Sequence, residues 1–146
     1  MQIKSTAFEN NGNIPAKYTC DGENVNPPLE FSEVPQNAES LALVADDPDA
    51  PGKTWVHWTI WNINPKTKKI PEHAKLEKAI EGITDFGKPG YGGPCPPSGT
   101  HRYFFKLYAL DTELNLDPSS DVGQLQEEIE GHVIEKAELI GKYSKS

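Results

Sequence analysis

A mainly β fold with minor α content, built as a two-sheet antiparallel β-sandwich with one or two short helices, is what this 146-residue sequence predicts. Three observations predict it. Thirteen prolines and twelve glycines cut the chain into runs too short for a helical bundle. Two of those runs, residues 55–63 (WVHWTIWNI) and 102–110 (RYFFKLYAL), are rich in the aromatic and β-branched side chains that suit a pleated, half-buried surface. One segment alone, residues 121–132, carries a clear helical repeat, with Leu125, Ile129 and Val133 recurring on one face.

The elements follow in order. Residues 3–8 read as a first strand, and the Asn-rich stretch 10–13 as a turn. Residues 18–28 form a polar loop before a short strand at 29–31. The apolar run 40–45 (SLALVA) has strand length and no alternation, which predicts burial on both faces. Residues 46–51 (DDPDAP) read as a loop, because proline removes a ladder donor. Asn64-Pro65 closes the strong strand that begins at Trp55. Residues 75–82 fit either a helical turn or an irregular segment. Residues 86–100 form one long Gly/Pro loop, a length that points to function in a compact domain. The helix at 121–132 has Ser119 and Ser120 as candidate caps, and residues 137–143 form a last strand. Neither a repeat nor a low-complexity segment divides the chain, so residues 1–146 read as a single domain.

Charge narrows the function. The net charge of -8 disfavours nucleic acid and anionic bilayers, and no basic stripe offsets it. No run approaches the length of a membrane span, and the start, Met1-Gln2-Ile3-Lys4, lacks the features of a secretion signal. A cytoplasmic protein without stable membrane insertion is the simplest expectation, although a mature secreted form has the same appearance. No cofactor motif is present. Cys20 and Cys95 match no zinc or redox spacing. They read first as small apolar side chains and second as a disulfide.

The candidate site comes from alternation. Side chains at i and i+2 share one face of a strand, so His101, Tyr103 and Phe105 lie together, opposite Arg102, Phe104 and Lys106. By the same parity Trp55, His57 and Thr59 share a face, opposite Val56 and Trp58. If the two strands are neighbours, His57, His101 and Tyr103 converge, with the Gly/Pro loop as a wall. Gly93 brings a backbone amide close to a ligand, and Pro96 stiffens the rim. Arg102, the only arginine in the chain, points away from this face and reads as structural, a buried guanidinium paired with Asp49 or Asp47. Asp47 is expected to accept from His57 and favour its imidazolium, raising its pKa above about 6.5. His73 reads as solvated, and His132 as favoured by the dipole at the helix end.

These motifs carry a resemblance. DDPDAP, WVHW and YGGPCPPSGTHRYFFKLYALD, with YTCDGENVNPPLEF before them and EGHVIEKAELIGKY after, resemble the phosphatidylethanolamine-binding protein family in its bacterial and archaeal, Raf-kinase-inhibitor-like branch. The resemblance implies a β-sandwich with a small pocket for phosphate-like, acetate-like or phospholipid-headgroup ligands. It places that pocket at Asp47, Asp49, Trp55, His57, Pro96, His101 and Tyr103, with Arg102 inside the HRY motif. Larger eukaryotic relatives add a C-terminal helix beside the pocket. This sequence reaches Ser146 just after its last strand, so no such lid is expected. The function expected is binding of a small anionic ligand without catalysis, with regulation of a protein partner such as a kinase or protease as a further role. Two alternatives stand beside it: a hydrolase using Cys95 and His101, and an interaction protein with a vestigial pocket.

Overall fold

The computed structural model describes residues 1–145. Its strands are β1 (Gln2–Lys4), β2 (Gly12–Asn13), β3 (Leu29–Ser32), β4 (Ser40–Asp47), β5 (Trp55–Ile63), β6 (Lys69–Ile70), β7 (Ile80–Glu81), β8 (Thr100–Leu110) and β9 (Val133–Ser144), with one α-helix, α1 (Val122–Ile129), and a 3-10 turn at Ala16–Tyr18. They form two sheets. The smaller has the order β1-β3-β6 and the larger β2-β9-β8-β4-β5-β7. All pairings are antiparallel except that of β2 with β9. The predicted sandwich is therefore the observed fold.

The main core lies between the sheets. Ile3, Leu29, Phe31 and Ile70 from the small sheet join Leu41, Leu43, Trp58, Ile60, Phe105 and Leu107 from the large one. The opposite face of the large sheet carries a second cluster, in which Ala42, Val44, Trp61 and Leu110 pack beneath Leu125 and Ile129 of α1. β4 is sandwiched between these clusters, and every residue of it is buried. That is the physical reason its sequence shows no polar alternation.

Several boundaries depart from the sequence expectation. β1 ends at Lys4 rather than residue 8, because the Ser5 hydroxyl accepts the Ala7 amide and turns the chain. Phe8 then packs on Phe105 at 6.0 Å between ring centroids. β4 runs through Asp46 and Asp47, so only residues 48–51 of the expected loop lie outside a strand. α1 is shorter than residues 121–132, and its cap is Asp121 rather than a serine. The Asp121 carboxylate accepts the Gln124 amide at 3.0 Å while the Gln124 side chain accepts the Asp121 amide at 3.0 Å. Gly131, in a left-handed conformation, follows the helix end. His132 therefore lies outside the helix and pairs with Asp111 at 2.7 Å. Residues 75–82 contain no helix, only β7 pairing with the edge of β5.

The reading of Cys20 and Cys95 as isolated apolar thiols is overturned. They form a disulfide, with Cα atoms 5.4 Å apart, across 75 residues of sequence. Cys20 sits in the polar loop and Cys95 in the Gly/Pro loop, and both are exposed. Neither sulfur is packed in a core, and the bridge closes a long loop. A cross-link of that span stabilises by about 2–4 kcal/mol, chiefly by restricting the unfolded chain. The Cys20→Ala/Cys95→Ala double variant is therefore expected to melt roughly 6–12 °C below the parent in calorimetry. A change of less than about 2 °C would contradict the assignment of a stabilising bridge.

Candidate functional site

At one end of the large sheet β4, β5 and β8 open onto a cavity of about 230 Å³. Asp47 comes from β4, Trp55 and His57 from β5, and His101 and Tyr103 from β8, with Pro96 and Pro97 of the Gly/Pro loop as one wall. A roomier groove of about 530 Å³ lies between β1 and β9. Among the described residues, the buried polar side chains Asp47, His57 and His101 line the smaller cavity, and none lines the groove. Burying polar groups is costly unless they have a task or a partner, so the smaller cavity is the candidate site.

The strands that carry the histidines are not neighbours, contrary to the simplest expectation. β4 runs between them. Convergence is achieved across it by a bulge. Asp46 pairs with Val56 but the preceding Ala45 pairs with Trp58, which leaves His57 as an extra residue on β5. A bulge re-aims side chains. Here it lets His57 face the cavity while its neighbour Trp58 faces the main core, so strict alternation fails on β5. On β8 alternation holds: His101, Tyr103, Phe105, Leu107 and Ala109 are all buried along one face.

Hydrogen bonds fix both rings. His57 Nδ1 lies 2.7 Å from the Gly92 carbonyl, and the Gly92 amide donates back to the His57 carbonyl at 3.0 Å. His101 Nδ1 lies 2.6 Å from Asp47 Oδ2. The partner of Asp47 is thus His101 and not His57, because Asp47 faces β8 where His101 ends the buried row. Its other oxygen accepts the Asp49 amide at 2.8 Å, so both carboxylate oxygens are engaged. The expected rise in the His57 pKa is reversed. Burial pushes it below the ordinary imidazole range, and the Gly92 carbonyl and the carboxylates of Asp47, Asp46 and Asp85 only partly oppose this. The Tyr103 phenol is pushed upward by burial and then by the Asp47 charge, so its hydroxyl keeps its proton. That hydroxyl is buried and has no hydrogen-bond partner among the described residues.

Arg102 pairs with Asp49, one of its two expected partners. Its Nε and backbone amide both donate to Asp49 Oδ2 at 2.9 Å, and Nη2 donates to Oδ1 at 2.8 Å. The Arg102 guanidinium holds the Asp49 carboxyl down to about 2. The expectation of a buried guanidinium is corrected: its side chain is 51% exposed. Asp49 is consumed by this clamp and does not line the cavity. Gly93 does not line it either, since its amide donates to Asn24 Oδ1 at 2.8 Å. The thiol–imidazole set of Cys95 and His101 is not assembled, because the Cys95 sulfur is bonded to Cys20.

Sequence reasoning missed the supports of the wall. Tyr91 donates to the Tyr18 carbonyl at 2.8 Å, the Cys20 amide donates to the Pro94 carbonyl at 3.1 Å, and Asn24 holds Gly93. It also missed Phe86, which meets both Trp55 and His57 edge-on at 5.7 and 5.4 Å. No local pattern marks these residues, because each acts across long sequence separations.

The molecule is thus a two-sheet sandwich with a histidine-, tyrosine- and proline-lined cavity at its strand ends. The model of the family described as phosphatidylethanolamine-binding protein matches residues 4–144, and the chain belongs to that family. A UPF0098 protein of Methanothermobacter thermautotrophicus is 51% identical over 150 residues, which cover 99% of each chain. The crystal structure of CT736 from Chlamydia trachomatis, described as a homologue of this family, is 41% identical with a TM-score of 0.96, covering 99% of this chain and 97% of the other. Escherichia coli YbcL, described as a member of the mammalian family, is 32% identical with a TM-score of 0.92, covering 99% and 98%. These relatives are archaeal and bacterial, as the motifs imply.

A Cβ added at Gly93 would lie 2.4 Å from both Asn24 Oδ1 and the Tyr18 carbonyl oxygen. Gly93→Ala is therefore expected to push the 18–24 loop off the wall and cost about 2 kcal/mol in urea unfolding. A change within about 0.5 kcal/mol would show that the wall yields freely.

Proposed function

We propose that the pocket binds a small oxyanion of the phosphate type, free or as part of a headgroup-like compound, and performs no chemistry on it. The observation that carries this reading is the unpaired, buried Tyr103 hydroxyl beside two imidazoles whose Nδ1 atoms are already bonded. An unsatisfied buried hydroxyl costs about 1–3 kcal/mol, which a ligand oxygen recovers. Family membership and the small cavity support the same reading. Trp55, half-buried, and Phe86, 41% exposed, give an organic substituent an apolar surface at the mouth. The Cys20–Cys95 bridge weighs against the hydrolase alternative. Regulation of a protein partner remains part of the proposal, as the consequence of occupying the pocket.

No helix among the described residues is long and apolar enough to cross a membrane. A cytoplasmic location is proposed on the condition that the Cys20–Cys95 bridge withstands cytosolic thiols. Alkylation of free thiols in freshly broken source cells tests that condition directly.

Titration calorimetry with inorganic phosphate tests the binding. The parent protein is expected to bind, Tyr103→Phe to bind about tenfold more weakly, and His57→Ala and His101→Ala more weakly still. Asp47→Asn, which removes the negative partner that orients His101, is expected to weaken binding as well. Affinity should fall as pH rises from 5.5 to 8.5, since the bound state holds a proton between ligand and ring that is released at high pH. Absence of binding, or equal affinity in all variants, would overturn the reading.

A further inference from the structure

We propose that the Cys20–Cys95 bridge is a site of reversible thiol–disulfide exchange, entered at Cys20 by a protein dithiol of the thioredoxin class, and that opening it releases the proline wall of the pocket, whatever the pocket binds.

The wall is held unevenly. Up to Pro94 it is well tied: Gly92 bonds to His57, the Gly93 amide donates to Asn24 Oδ1 at 2.8 Å, and the Pro94 carbonyl accepts the Cys20 amide at 3.1 Å. Beyond Pro94 such bonds stop. Among the described residues, no hydrogen bond holds residues 96–99, and the next anchored residue is Thr100, where β8 begins opposite Ser144. Pro96 and Pro97, which line the cavity beside Cys95, lie within this span. The covalent tie at Cys95 and the packing of buried Pro96 are what position it. Neither cysteine belongs to the two cores, so the sandwich keeps its packing when the bridge opens.

Both cysteines are exposed, so an attacking thiolate can reach the bridge. Their surroundings differ. Lys145 Nζ lies 4.0 Å from Cys95 Sγ, and a neighbouring ammonium stabilises a departing thiolate. Cys20 opens a run of exposed residues, 20–24, that includes Asp21 and Glu23. A thiolate left there would face like charges. Attack is therefore favoured on Cys20, with Cys95 as the leaving group.

The reductant thiolate bonds to Cys20 Sγ as the S–S bond breaks, and Cys95 leaves as a thiolate that takes up a proton. The second thiol of the reductant then displaces Cys20, which leaves and is protonated in turn. Two electrons and two protons pass to this chain, and the reductant departs as a disulfide. Reoxidation runs the same steps backward.

Trapping tests the entry point. The oxidised parent protein is exposed to a thioredoxin whose second active-site cysteine is serine, and the adduct is alkylated and mapped by mass spectrometry. The mixed disulfide is expected on Cys20, with Cys95 alkylated, in at least about tenfold excess over the reverse. Reduction of Lys145→Gln by dithiothreitol should be about threefold slower than that of the parent. Nitrogen-15 relaxation reports on the wall: order parameters of Cys95 and Ser98 should fall from about 0.85 to below about 0.6 on reduction, with those of β4 and β8 unchanged. An adduct mainly on Cys95, or none under conditions that capture insulin, would overturn the assigned exchange site. Equal reduction rates for the parent and Lys145→Gln would overturn the assigned leaving group. Order parameters that do not respond to reduction would overturn the release of the wall. Loss of the native spectrum on reduction would overturn it too, because the bridge would then hold the fold and not the wall. None of these readouts involves a pocket ligand, so each outcome leaves the anion reading to its own test.

Discussion

The pocket depends on one buried hydrogen bond, from His101 to the carboxylate of Asp47, 2.6 Å across the seam between β8 and β4. Both side chains are buried, and truncating either would leave the other stranded in a poorly hydrated site. The bond does three things. It orients the His101 ring, it fixes which nitrogen carries the proton, and it ties the end of β4 to the start of β8. The second Asp47 oxygen accepts the Asp49 amide, and Asp49 in turn clamps Arg102, so the Asp-Pro-Asp segment closes on the His-Arg-Tyr segment at two successive residues of β8. One strand end thereby sets the geometry of the other.

The opposite wall is fixed by independent means. Gly92 and His57 bond to each other twice, through ring and backbone. Behind Gly92, the chain from Gly93 to Cys95 is stitched to the 18–24 loop by Asn24, the Cys20 amide and the disulfide. A fourteen-residue segment without strands, 86–99, is held still by contacts that come from elsewhere in the sequence. Fixing these groups before a ligand arrives removes much of the ordering cost of binding.

Much of this was legible in the residues. The all-apolar run 40–45 announced a strand buried on both faces, because no register of it could reach water. Alternation on β8 placed His101 and Tyr103 together, since that strand is regular through the cavity. The single arginine pointed to a carboxylate of the Asp-Pro-Asp segment. What could not be read was whatever depended on pairing. The bulge at His57 exists only in the register of β5 against β4, and without it parity would send His57 to the wrong side of the sheet. The choice of His101 over His57 as the partner of Asp47 follows from strand order, with β4 in the middle. The disulfide links residues 75 apart and has no local signal. Capping of α1 by Asp121 rather than Ser119 or Ser120 was a one-residue choice between good caps, decided by the reciprocal bond from Gln124.

The central claim is that two imidazoles, each holding its proton on Nδ1 against a protein acceptor, turn Nε2 toward a common cavity. Nitrogen-15 NMR of the histidine side chains tests it most directly, in the free protein near neutral pH and again with phosphate added. The account predicts a neutral His57 protonated at Nδ1 alone in the free state, and Nε2 resonances of both His57 and His101 that shift on phosphate addition while those of His73 and His132 stay in place. A free His57 carrying its proton on Nε2, or phosphate that moves neither pocket ring, would contradict it.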